Sequence, residues 1–211
     1  SVSAFLLNRS SDLLQYFYLC CMKIGLYFGS FNPIHIGHLV IANHLQQYSD
    51  LDQVWFVVSP HNPFKEKSTL ANDYDRLHLV NLAIEDYPYL KASNIEFSLP
   101  KPSYTIDTLV VLKEKHPDYE FSLIMGMDNL KGFHKWKNHE QILKNYSIYV
   151  YPRIGSEPGE WADHPKFHFV NAPIMEIYST FIRQGIQENK NVRPLLEEKV
   201  WKYIEGSTMF K

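Results

Sequence analysis

A chain of 211 residues with 45% hydrophobic and 15% aromatic side chains can bury a sizeable core, enough for one domain with at most a small appendage. Its net charge of −2 and pI near 6.5 exclude a general attraction to nucleic acid or to a membrane surface, so any anion site must be local. The only two cysteines, Cys20 and Cys21, are adjacent; that spacing suits neither a disulfide framework nor a metal cluster, and a reducing, cytoplasmic setting is the expectation.

Residues 1–21, "SVSAFLLNRSSDLLQYFYLCC", are apolar in patches but broken by Asn8, Arg9, Ser10, Ser11 and Asp12. They lack the basic start and continuous apolar middle of a signal peptide, and no run of roughly 18 apolar residues marks a membrane span. They read as an N-terminal extension to a single domain over 22–211, with Met22 as the physiological start; a helix that caps the core or an oligomer contact is the other reading. Self-association of the domain itself is left open.

Residues 23–29 read as a short buried strand, after which Ile36, Leu39, Val40 and Leu45 mark one face of a helix whose other side carries Asn43, Gln46 and Gln47. "QVWFVV" (53–58) predicts a second strand, followed by a polar loop and a helix with Leu77, Val80 and Ile84 on one face. A third helix carries Ile106, Leu109 and Val110. "EFSLIMG" (120–126) and "SIYVYPR" (147–153) are strongly strand-like, and "FHFVN" (167–171) more weakly so. Helices are expected over 179–187 and 195–204, the latter started by Pro194. Strand and helix alternating in this way predict an α/β, Rossmann-like fold: a mostly parallel sheet covered by helices on both faces. Ligands of such sheets sit beyond the carboxyl ends of the strands where the winding reverses.

The stretch "GLYFGSFNPIHIGHL" (25–39) stands at such a place. Gly29 ends the strand and is expected to let a ligand approach the backbone, Pro33 fixes a turn, and Gly37 repeats the service at the helix start. The helix N-terminus offers unpaired N–H groups and the positive end of its dipole, which favour a phosphate. His35 and His38, three apart, share one side of that first turn. A single histidine there would more often be a cap or a core residue; two flanking a glycine directly after a strand suit a phosphate cradle with imidazole donors. A zinc pair lacks a third ligand at persuasive spacing, so no metal ligands are assigned.

"GSFNPIHIGH" (29–38) resembles the G-x-F-[DN]-P-x-H-x-G-H signature of the nucleotidyltransferase superfamily, and from residue 23 onward the chain resembles the bacterial nicotinate-nucleotide adenylyltransferases. Three further stretches carry the likeness: "PSYTIDTL" (102–109), "GMDNLKGFHKW" (126–136) and "IYSTFIR" (177–183). There are departures. Tyr178 replaces the first Ser of the last motif, Phe28 replaces a usual Gly, and "NPFK" (62–65) keeps only Pro63 and Lys65 of the family's P-P-H-K loop, with Phe64 in place of His.

The resemblance implies transfer of the adenylyl group of ATP to nicotinate mononucleotide, releasing pyrophosphate, with Mg²⁺ bridging the phosphates. It implies that His35 and His38 donate to the phosphates, one or both charged when ATP is bound, and that Lys65 and Arg183 neutralise the outer phosphates and the leaving group. Gly29, Ser30, Phe31, Gly37, Gly126, Asp128, Ser179 and Thr180 fall on the ATP side. Ser179 is expected to cap the helix that carries Arg183. Ser103, Tyr104, Thr105 and Trp136 fall on the acceptor side, the backbone at 104–105 facing the nicotinate carboxylate and Trp136 the pyridine. Ser103 is also a candidate cap, and Arg76 a surface ion-pair partner. A pantetheine-phosphate adenylyltransferase shares the first signature but does not account for "PSYTIDTL" or the G-x-D…W segment; aminoacyl-tRNA synthetases share "HIGH" (35–38), but this chain is short, is not basic and has no lysine-rich second signature; a non-catalytic ATP-binding module would not need so many groups about one phosphate.

Overall fold

The apolar runs settle into six parallel strands ordered β3-β2-β1-β4-β5-β6 in a computed structural model that describes residues 21–60 and 70–211. The strands are β1 (Met22–Gly29), β2 (Gln53–Val58), β3 (Leu90–Ser93), β4 (Tyr119–Gly126), β5 (Ser147–Tyr151) and β6 (Phe167–Phe169). The helices are α1 (Ile36–Tyr48), α2 (Asp73–Ile84), α3 (Thr105–Lys115), α4 (His139–Asn145), α5 (Ser179–Gln187) and α6 (Glu198–Glu205). All but the last residue of the expected extension over 1–21, and Phe64 and Lys65, lie outside the described residues. No helix among those described is long and apolar enough to cross a membrane.

Side chains alternate across a strand, and a sheet covered on both faces needs apolar residues at every position. Along β2, Val54, Phe56 and Val58 enter one core while Trp55 and Val57 enter the other. The first core takes Ile41 and Leu45 of α1, Leu79 and Val80 of α2, Ile182 of α5 and Val200 and Ile204 of α6. The second takes Leu109 and Leu112 of α3 and Ile142 of α4. The chain winds from β1 outward to β3, recrosses through α3 to the other side of β1, and winds outward again through β5 to β6. The reversal therefore falls between β1 and β4, which pair from Met22 with Tyr119 to Tyr27 with Ile124, and a crevice opens beyond Gly29 and Gly126.

Several local expectations change. The buried face of α1 is Gly37, Ile41, Ala42 and Leu45, rotated from the expected one, and Val110 of α3 is 46% exposed. The last helix begins at Glu198, capped by the Glu197 carboxylate accepting from the Lys199 amide at 2.6 Å; Pro194 instead sits in a separate 3₁₀ turn, Arg193–Leu195. Arg76 is not a surface residue. Its side chain is fully buried, donating to the carbonyls of Ala71 (3.1 Å), Ser59 (2.9 Å) and Ser30 and to Asp73 Oδ1 (2.7 Å). One guanidinium thus joins the ends of β1 and β2 to the start of α2.

Candidate active site

Beyond Gly29 the chain turns through Phe31, held at φ 44°, a conformation few residues with a side chain adopt. The Phe31 ring folds back under Gly29, where a Cβ would lie 2.7 Å from it. It is 2% exposed and stands edge-on to the His38 ring at 5.1 Å. The missing side chain of Gly29 therefore makes room for the Phe31 ring, and Phe31 supports His38 from the core. Gly37 is likewise filled from within: a Cβ there would come within 3.1 Å of His35 Nδ1.

His35 is the N-cap of α1, and its ring stacks on His38 at 3.7 Å. The His35 amide donates to His38 Nδ1 at 3.2 Å, which leaves Nε2 as the protonated donor of a neutral ring. Burial, aided by the positive charge of Arg153, pushes His35 down from 6.5 to about 4. In the free protein the His35 ring is therefore a neutral donor rather than a cation; a bound polyphosphate acts in the opposite direction.

The last motif is strapped to the first. Ser179 Oγ donates to Pro33 O at 2.9 Å and Arg183 Nη1 to Asn32 O at 2.8 Å, so the N-terminus of α5 sits beside that of α1. Ser179 is the first residue of α5, not its cap; that position is held by Tyr178, without a side-chain bond. Burial lowers the pKa of the Arg183 guanidinium, and a desolvated cation favours an anionic partner. Ser30, His35, His38, Ser179, Thr180 and Arg183 line one open cleft.

The same cleft receives Arg153, from the segment after β5, which the sequence reading passed over because an arginine beyond a strand has no distinctive spacing. Its Nη2 donates to Tyr151 Oη at 3.2 Å and Nη1 to Met175 O at 3.3 Å, while Nε lies 3.8 Å from Asp128 Oδ1. Asp128 stands just past β4, where a Cβ on Gly126 would come 2.4 Å from its Oδ1; Gly126 is what admits it. Among the described residues, two buried side-chain nitrogens have no hydrogen-bond partner, His35 Nδ1 and Arg153 Nε. Both belong to residues that line this cleft, and orphaned polar groups are rare in native folds.

A second cleft, of about 210 Å³, lies on the other side of Tyr151 and Gly126. Ser103, Tyr104 and Thr105 line it where α3 begins, and Trp136, packed against Phe133 at 5.3 Å, lines it from across, with Lys135 and Lys137 beside it. Lys137 ties the walls together, bonding Asp107 at 2.8 Å with its ammonium 4.7 Å from the centre of the Tyr104 ring. Ser103 is not the cap of α3: its hydroxyl donates to buried Glu96, Oε2, at 3.0 Å. Tyr27, whose hydroxyl bonds that of Tyr151 at 3.2 Å, completes the partition between the clefts. Among the described residues, no group of three or more His, Cys, Asp or Glu comes together as a metal site would need.

Residues 26–185 match the cytidylyltransferase-like family. A relative from Flavobacterium psychrophilum named "Probable nicotinate-nucleotide adenylyltransferase" is 63% identical over 192 residues, covering 90% of this chain and all of the relative. One of the same name from Bacteroides thetaiotaomicron is 48% identical over 87% of this chain and 91% of its own. The nicotinic acid mononucleotide adenylyltransferase of Plasmodium falciparum, solved in complex with NaAD, superposes with a TM-score of 0.76 at 20% identity over 90% of this chain and 97% of that one, a likeness of fold.

Proposed function

From a chain that belongs to the cytidylyltransferase-like family and, within it, to the nicotinate-nucleotide adenylyltransferases, we infer the following division of labour in transferring the adenylyl group of ATP to nicotinate mononucleotide. ATP lays its phosphates in the cleft between the starts of α1 and α5, and the acceptor fills the cleft between α3 and Trp136. The observation that carries this reading is that His35 and Arg153, whose buried Nδ1 and Nε have no hydrogen-bond partner, line one cleft together with two helix N-termini, His38 and Arg183. Such a set of fixed donors and cations suits a phosphate chain.

The acceptor phosphate has a second pKa of about 6 and is largely ionised at pH 7, so its oxygen attacks without a general base. One bond forms from that oxygen to the α-phosphorus of ATP as the bond from the α-phosphorus to the bridging oxygen of pyrophosphate breaks. The protein's work is alignment and charge stabilisation. His38 Nε2 and His35 Nδ1 donate where charge grows on the α-phosphate, and Arg153 and Arg183 hold the outer phosphates, joined by Lys65 in our assignment. Mg²⁺ would enter as part of the nucleotide substrate, where it would supply charge neutralisation on the phosphates. Asp128 is placed to accept from the ribose hydroxyls. On the acceptor side, the amides opening α3 at Tyr104 and Thr105 favour a carboxylate, and Trp136 offers a face to the pyridine ring. We place the reaction in the cytoplasm, whose reducing conditions suit the free thiol of Cys21.

The test is pyrophosphate release on mixing ATP and Mg²⁺ with nicotinate mononucleotide, nicotinamide mononucleotide or phosphopantetheine in turn. The nicotinate compound gives the highest kcat/KM; a preference for the amide overturns the acceptor-cleft assignment, and release with none overturns the reading entirely.

A further inference from the structure

The acceptor cleft contains a buried acidic group that the roles above do not use. Glu96 is 2% exposed and lines the cleft. Its Oε2 accepts from Ser103 Oγ at 3.0 Å and its Oε1 from Thr108 Oγ1 at 2.8 Å. Both oxygens stand as acceptors of these bonds, the arrangement that suits a carboxylate. Among the described residues no cation pairs with it: the nearby Lys137 is taken by Asp107. A buried charge without a partner of opposite sign is costly, and in a site that must bind an anionic acceptor its sign is unexpected.

The acceptor itself supplies the missing charge. In a pyridine mononucleotide the ring nitrogen is bonded to ribose and carries a full positive charge, whatever the substituent on the ring. We propose that Glu96 is a specificity-determining residue that recognises this pyridinium, its field acting across the cleft where Trp136 faces the ring, while the amides of α3 and the neighbouring ammonium groups take the substrate's anionic ends. The inference rests on the acceptor assignment made above.

Two mononucleotides that differ in ring charge decide it: oxidised nicotinamide mononucleotide, a pyridinium, and its reduced form, a neutral dihydropyridine. Each is titrated as a competitive inhibitor against nicotinate mononucleotide in wild type, Glu96→Gln and Glu96→Asp. Glu96→Gln weakens the oxidised inhibitor roughly tenfold, the scale of a unit charge several ångström away in a partly wet site, and leaves the reduced one within about twofold. Glu96→Asp keeps the charge but shortens the reach to the two hydroxyls, and it retains the oxidised-over-reduced preference. Equal weakening of both inhibitors by Glu96→Gln, no weakening, or loss of the preference in Glu96→Asp overturns the proposal and leaves Glu96 as a brace for the 103–108 segment. A wild type that neither releases pyrophosphate with nicotinate mononucleotide nor binds either inhibitor sinks the acceptor assignment itself.

Discussion

His35 couples the cleft proposed for phosphate to the stability of the fold, and the coupling can be read by titration. Its folded-state pKa of about 4 lies below the ordinary 6.5 because the ring is buried and faces Arg153. Between those values the unfolded chain binds a proton that the folded chain refuses, so stability is intact above about pH 6.5 and falls as the pH drops towards 4. The gap is worth about 3 kcal/mol in all, of which roughly 2 kcal/mol is lost by pH 5. Other acidic and basic groups titrate in the same range, so the measurement is a difference: urea unfolding of wild type and His35→Gln at pH 7.5 and pH 5. Wild type loses about 2 kcal/mol more than the variant over that interval, because glutamine has no proton to gain. Parallel losses in the two proteins, within about 0.5 kcal/mol of each other, would refute the claim that His35 is held neutral by burial beside a cation.

His38→Ala removes an Nε2 donor from the phosphate cleft and lowers kcat/KM about 100-fold or more, the scale of one preorganised donor; initial rates of pyrophosphate release in a folded variant check it, and a loss under about threefold removes His38 from the mechanism. Arg76→Met strands the carbonyls of Ser30, Ser59 and Ala71, costing about 3–5 kcal/mol, which calorimetry registers as a fall in Tm of about 10 °C or more. Gly29→Ala drives a methyl group against the Phe31 ring and costs about 1–3 kcal/mol; since that ring backs His38, kcat falls further than stability alone accounts for.

The sheet was legible because β1, β2, β4 and β5 are buried on both faces and read as unbroken apolar runs. Strand β3 was not: Leu90–Ser93 is four residues long and only Leu90 is buried. Helix α4, seven residues with Ile142 alone in the core, is equally too short to show a period. Within the site as we propose it, paired histidines after a strand pointed to the cleft at the start of α1, and the helix starting near Tyr104 pointed to the second cleft. The sequence did not disclose which glycines serve the protein's own side chains, since Gly29 and Phe31 or Gly37 and His35 meet only through the turn between them. Nor could it place Arg76, Arg153 or Glu96. Each is a common charged residue whose importance comes from partners distant in sequence, as with Arg76 and Ser30, or from burial that no local pattern encodes.

The central claim is that the innermost phosphate of ATP lies at the start of α1 beside the two imidazoles, with Arg153 and Arg183 on the outer phosphates. A crystal soaked with a nonhydrolysable ATP analogue and Mg²⁺ tests it directly. The account predicts phosphate oxygens within hydrogen-bond distance of His35 Nδ1 and His38 Nε2, with Arg153 and Arg183 on the same phosphate chain. An analogue bound elsewhere, with His38 still packed against Phe31, the two rings still stacked and His35 Nδ1 still unpartnered, would contradict it.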